Sequence, residues 1–158
     1  MEYLGYYTSP LGMIRVINDE DYLLGLDFID EELKQENKNK LTENIIKQLS
    51  EYFIGERLEF NIPILLNGTE FQKNVWKELI KIPYGETASY KDIAVRIGNP
   101  KAVRAVGGAN NKNKIAVVIP CHRVIGMSGK LVGYAGGISK KEWLLNHENK
   151  NKKLIDKR

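Results

Sequence analysis

Ser89 to Ala109, SYKDIAVRIGNPKAVRAVGGA, is the stretch that decides the fold. Ile93, Ala94 and Ile97 recur at helical spacing behind Ser89, and Gly98 ends that helix. Asn99-Pro100 offers an N-cap and a proline at the first helical position, opening a second helix through Val103 and Val106. Two short helices joined by Gly98-Asn99 have the spacing of a helix-turn-helix, with Pro100 to Ala109 as the recognition helix. Small helical domains of other functions contain such pairs too, so the motif needs support from the rest of the chain.

Upstream, Thr69-x-x-Gln72 has the form of a capping box, and Phe71, Val75, Trp76, Leu79 and Ile80 lie on one helical face until Pro83 and Gly85. Downstream come an apolar run read as a buried strand, Ile115 to Ile119, and then Pro120-Cys121-His122-Arg123-Val124. A loop follows, turned by Gly126, Gly129, Gly133, Gly136 and Gly137. Ser139-x-x-Glu142 reads as the cap of a last helix carrying Trp143, Leu144 and Leu145, and the Lys- and Asn-rich residues from Asn149 onward read as a frayed tail.

The first third of the chain has a different pattern. Apolar segments Tyr3–Tyr7, Met13–Ile17 and Leu23–Phe28, separated by turn residues, predict an antiparallel meander. Leu41, Ile45, Ile46, Leu49 and Phe53 predict a helix capped near Gly55, and Leu58, Phe60 and Ile62 alternate like a strand before Pro63 and Asn67-Gly68. Glu31 to Lys40 read as a polar loop. The fold class is therefore α+β: a small antiparallel-sheet-plus-helix unit, then a mainly helical, winged-helix or helix-turn-helix-like domain carrying the cysteine. The expected division is 1–66, 67–150 and a basic tail 151–158.

Composition supports a polyanionic partner. Residues 1–66 hold 6 Lys and Arg against 13 Asp and Glu, a net of −7, whereas residues 67–158 hold 18 against 7, a net of +11. A basic half beside an acidic half points to nucleic acid, although scattered lysines often serve only solubility. The start of the chain lacks a signal-peptide pattern and no apolar run is long enough to span a bilayer, so an intracellular, cytoplasmic protein with no membrane partner is expected. One Cys and two His cannot supply the four ligands of a structural zinc site. Neither metal nor cofactor is expected, and the chain reads as a monomer.

A lone cysteine is more often a small buried hydrophobe than a nucleophile. Cys121 follows an apolar run, stands behind a proline that breaks a strand ladder, and is flanked by His122 and Arg123, whose charges favour a thiolate. That setting makes it a candidate nucleophile. Neighbouring strand residues point to opposite faces, so a bridging water is the expected route for a proton between Cys121 and His122.

The segment Ile119-Pro120-Cys121-His122-Arg123-Val124 resembles the active-site motif of the methylated-DNA–protein-cysteine methyltransferases, the O6-alkylguanine-DNA alkyltransferases. The resemblance extends through Thr8-Ser9-Pro10-Leu11-Gly12, Gly68-Thr69-Glu70-Phe71-Gln72, Ile82-Pro83-Tyr84-Gly85-Glu86-Thr87, Ser89-Tyr90, Asn99-Pro100, Arg104-Ala105-Val106-Gly107-Gly108 and Lys141-Glu142-Trp143-Leu144-Leu145. It implies single-turnover repair of double-stranded DNA, in which Cys121 takes the alkyl group irreversibly from O6-alkylguanine, and it leaves open whether O4-alkylthymine is a substrate too. By the same resemblance His122 would accept the thiol proton through a water, Glu148 would orient His122, and Asn113 would brace the site. Tyr90 would donate to the departing base, the carbonyls of Cys121 and Val124 would read its amino group, and Tyr134 and Ala135 would line the base site. Arg104 would fill the gap left by the extruded nucleotide. Ala102, Ala105, Gly108 and Ala109, with Arg123, would complete the DNA surface, small side chains suiting a minor groove only ~6 Å wide. Some members carry a hydroxyl where this chain has Ala135, and some carry N-terminal zinc ligands that it lacks.

Each residue alone has a structural alternative: Tyr90 as helix packing, Arg104 as a phosphate contact, Asn113 as a turn, Glu148 as a helix end. Their joint occurrence around Cys121 favours chemistry. Two other functions compete. A lesion-binding protein without catalysis would lack the cysteine, and a Cys-His-Glu hydrolase would turn over without needing the basic half.

Overall fold

Three strands open the chain: β1 (Tyr3–Ser9), β2 (Gly12–Asn18) and β3 (Leu23–Ile29), an antiparallel sheet in the order β1-β2-β3. Strict alternation in β2 buries Ile14, Val16 and Asn18 on one face, while Arg15 on the other makes a paired contact with Asp27 at 3.0 and 2.8 Å. Helix α1 (Lys40–Phe53) covers the buried face with Ile45, Leu49, Tyr52 and Phe53. Its start is fixed twice over. Asn39 caps Thr42 and Thr42 caps Asn39 in return, and Asn18 at the end of β2 holds both side chains, at 2.9 and 2.7 Å.

The computed structural model describes every residue except Leu33, Ala135, Gly136, Lys157 and Arg158. It divides into two compact units, Met1–Asn67 with Lys114–Ala116, and Gly68–Asn113 with Val117–Arg158. The strand expected at Leu58 to Ile62 does not form. Gln48 instead brackets Asn61 through both backbone groups, and contact with β3 is a single bridge of Ile64 with Leu23. Pro63, which has no N–H to donate, lends only its carbonyl, to the Leu23 amide.

In the second unit α2 (Glu70–Ile80) begins at the Thr69–Gln72 capping box, and its Trp76 indole donates to the Ala109 carbonyl at 2.9 Å. Helix α3 (Tyr90–Arg96) starts at a second capping box, Ser89 with Asp92. It ends in a Schellman motif: Gly98, at φ +80°, donates to Val95, and Asn99 donates to Ala94. Helix α4 (Val103–Asn111) starts three residues later than Asn99-Pro100 suggested. Ala102 N–H donates to Asn99 C=O and closes a turn with Pro100 at its second position, which suits the ring, so Asn99 and Pro100 make the connection rather than the cap.

Three further expectations change. Ile115 to Ile119 is buried but is not a strand: Ile115 makes one bridge with Leu26, and Val117 turns the chain at φ +69°, rare for a β-branched residue. Ser139 is not a cap, because α5 (Ile138–Asp156) begins one residue before it. Nor is the tail frayed at Asn149, since α5 continues to Asp156. Asn151 donates to the Tyr84 hydroxyl at 3.2 Å, and Lys152 reaches Glu86 at 3.6 Å across Gly85, where a Cβ would meet the Lys152 side chain at 2.6 Å.

Candidate active site

Cys121, His122 and Arg123 form one turn of 3₁₀ helix, not the end of a strand. The turn leads into β5 (Val124–Ile125), which pairs in parallel with β4 (Ala88–Ser89). Ser89 is also the N-cap of α3, so this short ribbon holds the cysteine turn in fixed register with Tyr90 at the head of α3. From the other side Asn113 donates to the Ile119 carbonyl at 2.9 Å, and Asn110 donates to the Cys121 carbonyl at 3.3 Å.

Glu148, on α5, organises the polar part of the site. Its carboxylate receives Arg123 through Nε at 2.7 Å and Nη2 at 3.0 Å, and the Gly85 amide at 3.3 Å. It also meets His122 Nε2 at 2.7 Å. Arg123 Nη1 donates to the Ile82 carbonyl, and the guanidinium lies 5.7 Å from the centre of the Tyr84 ring. Burial alone would raise the Glu148 carboxyl, but attraction and hydrogen bonds from His122 and Arg123 outweigh it and hold the group well below the ordinary carboxylate range. Glu148 is therefore an acceptor, so the proton of neutral His122 sits on Nε2 and the lone pair on Nδ1. Burial keeps His122 below its usual pKa despite the carboxylate.

Cys121 is 5% exposed and unbridged. Burial pushes its thiol above the ordinary value, while a hydrogen bond from Asn113 and the Lys141 charge pull part of the way back. Thus the resting group is the thiol, and a base must take its proton. Contrary to the sequence expectation, burial outweighs the neighbouring charges and the cation that pulls the thiol down is Lys141. Arg123 is buried and committed to Glu148, so it is removed from the expected DNA surface.

Tyr90 is buried with its hydroxyl donating to the Val132 carbonyl at 2.8 Å. The same carbonyl accepts Lys141 Nζ at 2.8 Å. Lys141, to which the family resemblance gives no role, is fully buried, and burial lowers its pKa to about 8 against the pull of Cys121. Asn110 was missed altogether. Only its neighbourhood in three dimensions reveals it, since Asn110-Asn111 at a helix end reads as a cap. Tyr134 is close enough to Cys121 for their charges to couple, and burial raises its hydroxyl well above the usual range. Ala135 lies outside the described residues.

On α4, Arg104, Ala105 and Gly108 are exposed and Ala102 is half-buried. Ala109 is not on that face: it is buried against α2, with its carbonyl on Trp76. Among the described residues no cluster of three or more metal-ligating side chains occurs, and no helix is long and apolar enough to cross a membrane.

A helix-turn-helix unit that keeps the chain's one thiol beside a carboxylate-pinned histidine defines a class, the helix-turn-helix proteins with a cysteine nucleophile. Residues 70–150 match the family model of the 6-O-methylguanine DNA methyltransferase DNA-binding domain, and residues 3–66 that of its ribonuclease-like domain. The chain belongs to this methyltransferase family. It is 48% identical over 152 residues to the methylated-DNA–protein-cysteine methyltransferase of Methanosarcina acetivorans, covering 92% of this chain and 97% of that protein. The constitutive enzyme of Bacillus subtilis is 46% identical over 158 residues, covering 92% and 96%. Among solved structures, the Mycobacterium tuberculosis O6-methylguanine methyltransferase superposes with a TM-score of 0.87 at 42% identity, over 96% of this chain and 94% of that one. The same organism's protein in complex with DNA gives 0.86 at 44%, over 92% of each chain.

Proposed function

We propose that this protein repairs alkylated DNA by direct reversal, moving the alkyl group of O6-alkylguanine onto Cys121 in one irreversible turnover. The observation that carries this reading is the buried thiol beside a histidine whose Nε2 is held by Glu148, leaving Nδ1 as the base. His122, through a water, takes the thiol proton. The sulfur then attacks the alkyl carbon in line, a C–S bond forms, the C–O6 bond breaks, and the guanine leaves with a proton supplied at the site, Tyr90 donating to the ring. Asn113 braces the loop, and the carbonyls of Cys121 and Val124, with Tyr134 and Ala135, hold the base.

The sulfur is too deeply set to reach a base inside a stacked duplex, so the nucleotide rotates out, at a cost of roughly a few kcal/mol. Arg104, exposed on α4 between Ala102, Ala105 and Gly108, occupies the vacated position from the minor groove. The unit from Gly68 onward carries both DNA binding and transfer, and the protein works as a cytoplasmic monomer.

Intact mass spectrometry after mixing with a duplex containing O6-methylguanine tests this. Each molecule should gain one methyl, on Cys121, and Cys121→Ser should gain none while still binding the duplex. Release of modified product beyond one equivalent would assign a hydrolase instead, and binding without any gain in mass would assign a lesion-binding protein.

A further inference from the structure

Among the described residues three buried side-chain polar atoms have no hydrogen-bond partner: Asn110 Oδ1, His122 Nδ1 and the Tyr134 hydroxyl. All three gather at one place. Asn110 holds the Cys121 carbonyl, His122 follows Cys121 in the same turn, and Tyr134 couples electrostatically with the thiol. Buried polar groups in native interiors are almost always paired, so a cluster of three unpaired atoms marks a site shaped for a polar guest.

Asn110 is the most informative of the three. It lies on the inner face of α4, 2% exposed, with Nδ2 on the Cys121 carbonyl at 3.3 Å and a further hydrogen bond to Tyr90. These contacts fix the amide orientation, because a flipped side chain would set Oδ1 against the Cys121 carbonyl, two acceptors face to face. The unpaired end is therefore a pure acceptor, and it calls for a donor on the guest.

In a nucleotide, O6-alkylguanine has only one N–H donor group on its ring system. Alkylation at O6 removes the proton from N1, N3 and N7 carry none, and the exocyclic 2-amino group remains. O4-alkylthymine has no N–H donor at all. We propose that Asn110 is a specificity-determining residue whose side-chain oxygen accepts from the 2-amino group of the extruded guanine, beside the Cys121 carbonyl that its own amide positions. This rests on the alkyl-transfer reading above and extends it. A base without the amino group leaves a buried acceptor unpaired, so it is rejected rather than merely bound less well.

The test compares single-turnover transfer from duplex oligonucleotides carrying O6-methylguanine or O6-methylhypoxanthine, which differ only in the 2-amino group. Wild type should react faster with the guanine lesion by about tenfold or more. Asn110→Leu should lose most of that preference, because transfer from guanine slows by a larger factor than transfer from hypoxanthine. Because the two rates come from one preparation, their ratio is independent of the fraction of variant that is folded, and Asn110→Ala gives a second reading of it. Equal slowing on both lesions would overturn the proposal and make Asn110 a brace for the Cys121 loop. A preference that persists in both variants, or is absent from wild type, would overturn it as well. If wild type methylates Cys121 from neither substrate, the alkyl-transfer reading itself fails.

Discussion

Glu148 carries more of the site than its place near a helix end suggests. It is 1% exposed, and its partners include His122, Arg123 and the Gly85 amide. Glu148→Gln would leave the Arg123 guanidinium buried without its counter-charge, and stability at neutral pH should fall by about 3–5 kcal/mol in urea unfolding. The acid limb should change too. A carboxyl held low in the native state stabilises above its unfolded value and loses that contribution as pH falls through the folded value. His122, also held low, adds to this, because below about pH 6.5 the unfolded chain takes up a proton that the buried ring refuses. Wild type should therefore weaken steadily on acidification, and Glu148→Gln should show a shallower slope. An identical slope would mean that the carboxylate does not govern it. Little of this network was legible beforehand. Cys121, His122 and Glu148 could be picked out, but Arg123, expected by resemblance on the DNA surface, belongs to the buried network, because a cation beside a basic surface looks exposed until its buried partner is seen. Lys141 and Asn110 escaped for a similar reason: a lysine in a first turn and an asparagine in a last turn have ordinary local explanations.

At the level of elements, pattern and caps read well where the signal was local. The three strands, α1, and the Thr69–Gln72 box that starts α2 follow directly from alternation and capping residues. Errors fell where tertiary contacts set the outcome: at Ile115 to Ile119, where one bridge and the Val117 turn replace a strand, and at the end of α5, which Tyr84, Gly85 and Glu86 extend past Asn149. Removing residues 150–158 should thus cost stability, on the order of 1–2 kcal/mol, or a drop in Tm of roughly 2–8 °C by calorimetry. No drop would show that the helix end contributes nothing. The role of α4 is tested by Arg104→Ala on two substrates. A free O6-alkylated base is already unstacked and needs only the thiol site, whereas a duplex lesion needs extrusion as well. Transfer from duplex should slow strongly while the free-base reaction holds, and lesions opposite a mismatch should fall between. Parallel loss on both would place Arg104 in support of the fold.

Over the whole molecule, charge is divided as sharply as structure. The net of +11 on residues 67–158 should make affinity for duplex fall linearly with log salt, with a slope of roughly −0.9 for each phosphate neutralised. A flat salt dependence in titrations would contradict phosphate tracking. With Arg123 buried, its charge makes no direct phosphate contact, and Arg123→Ala should leave that slope unchanged even where it damages the fold. The excursion at Lys114–Ala116 has a consequence for how the protein is made. The Leu26 amide and carbonyl bond Lys114 and Ala116, so β3 gains these partners from residues that lie almost ninety positions further along the chain. During synthesis the meander emerges first and waits, with that part of its edge open, while the helices that precede Lys114 are still being added. An amino-terminal fragment ending at Asn67 would keep the edge open permanently, and the order of translation gives it no way to close.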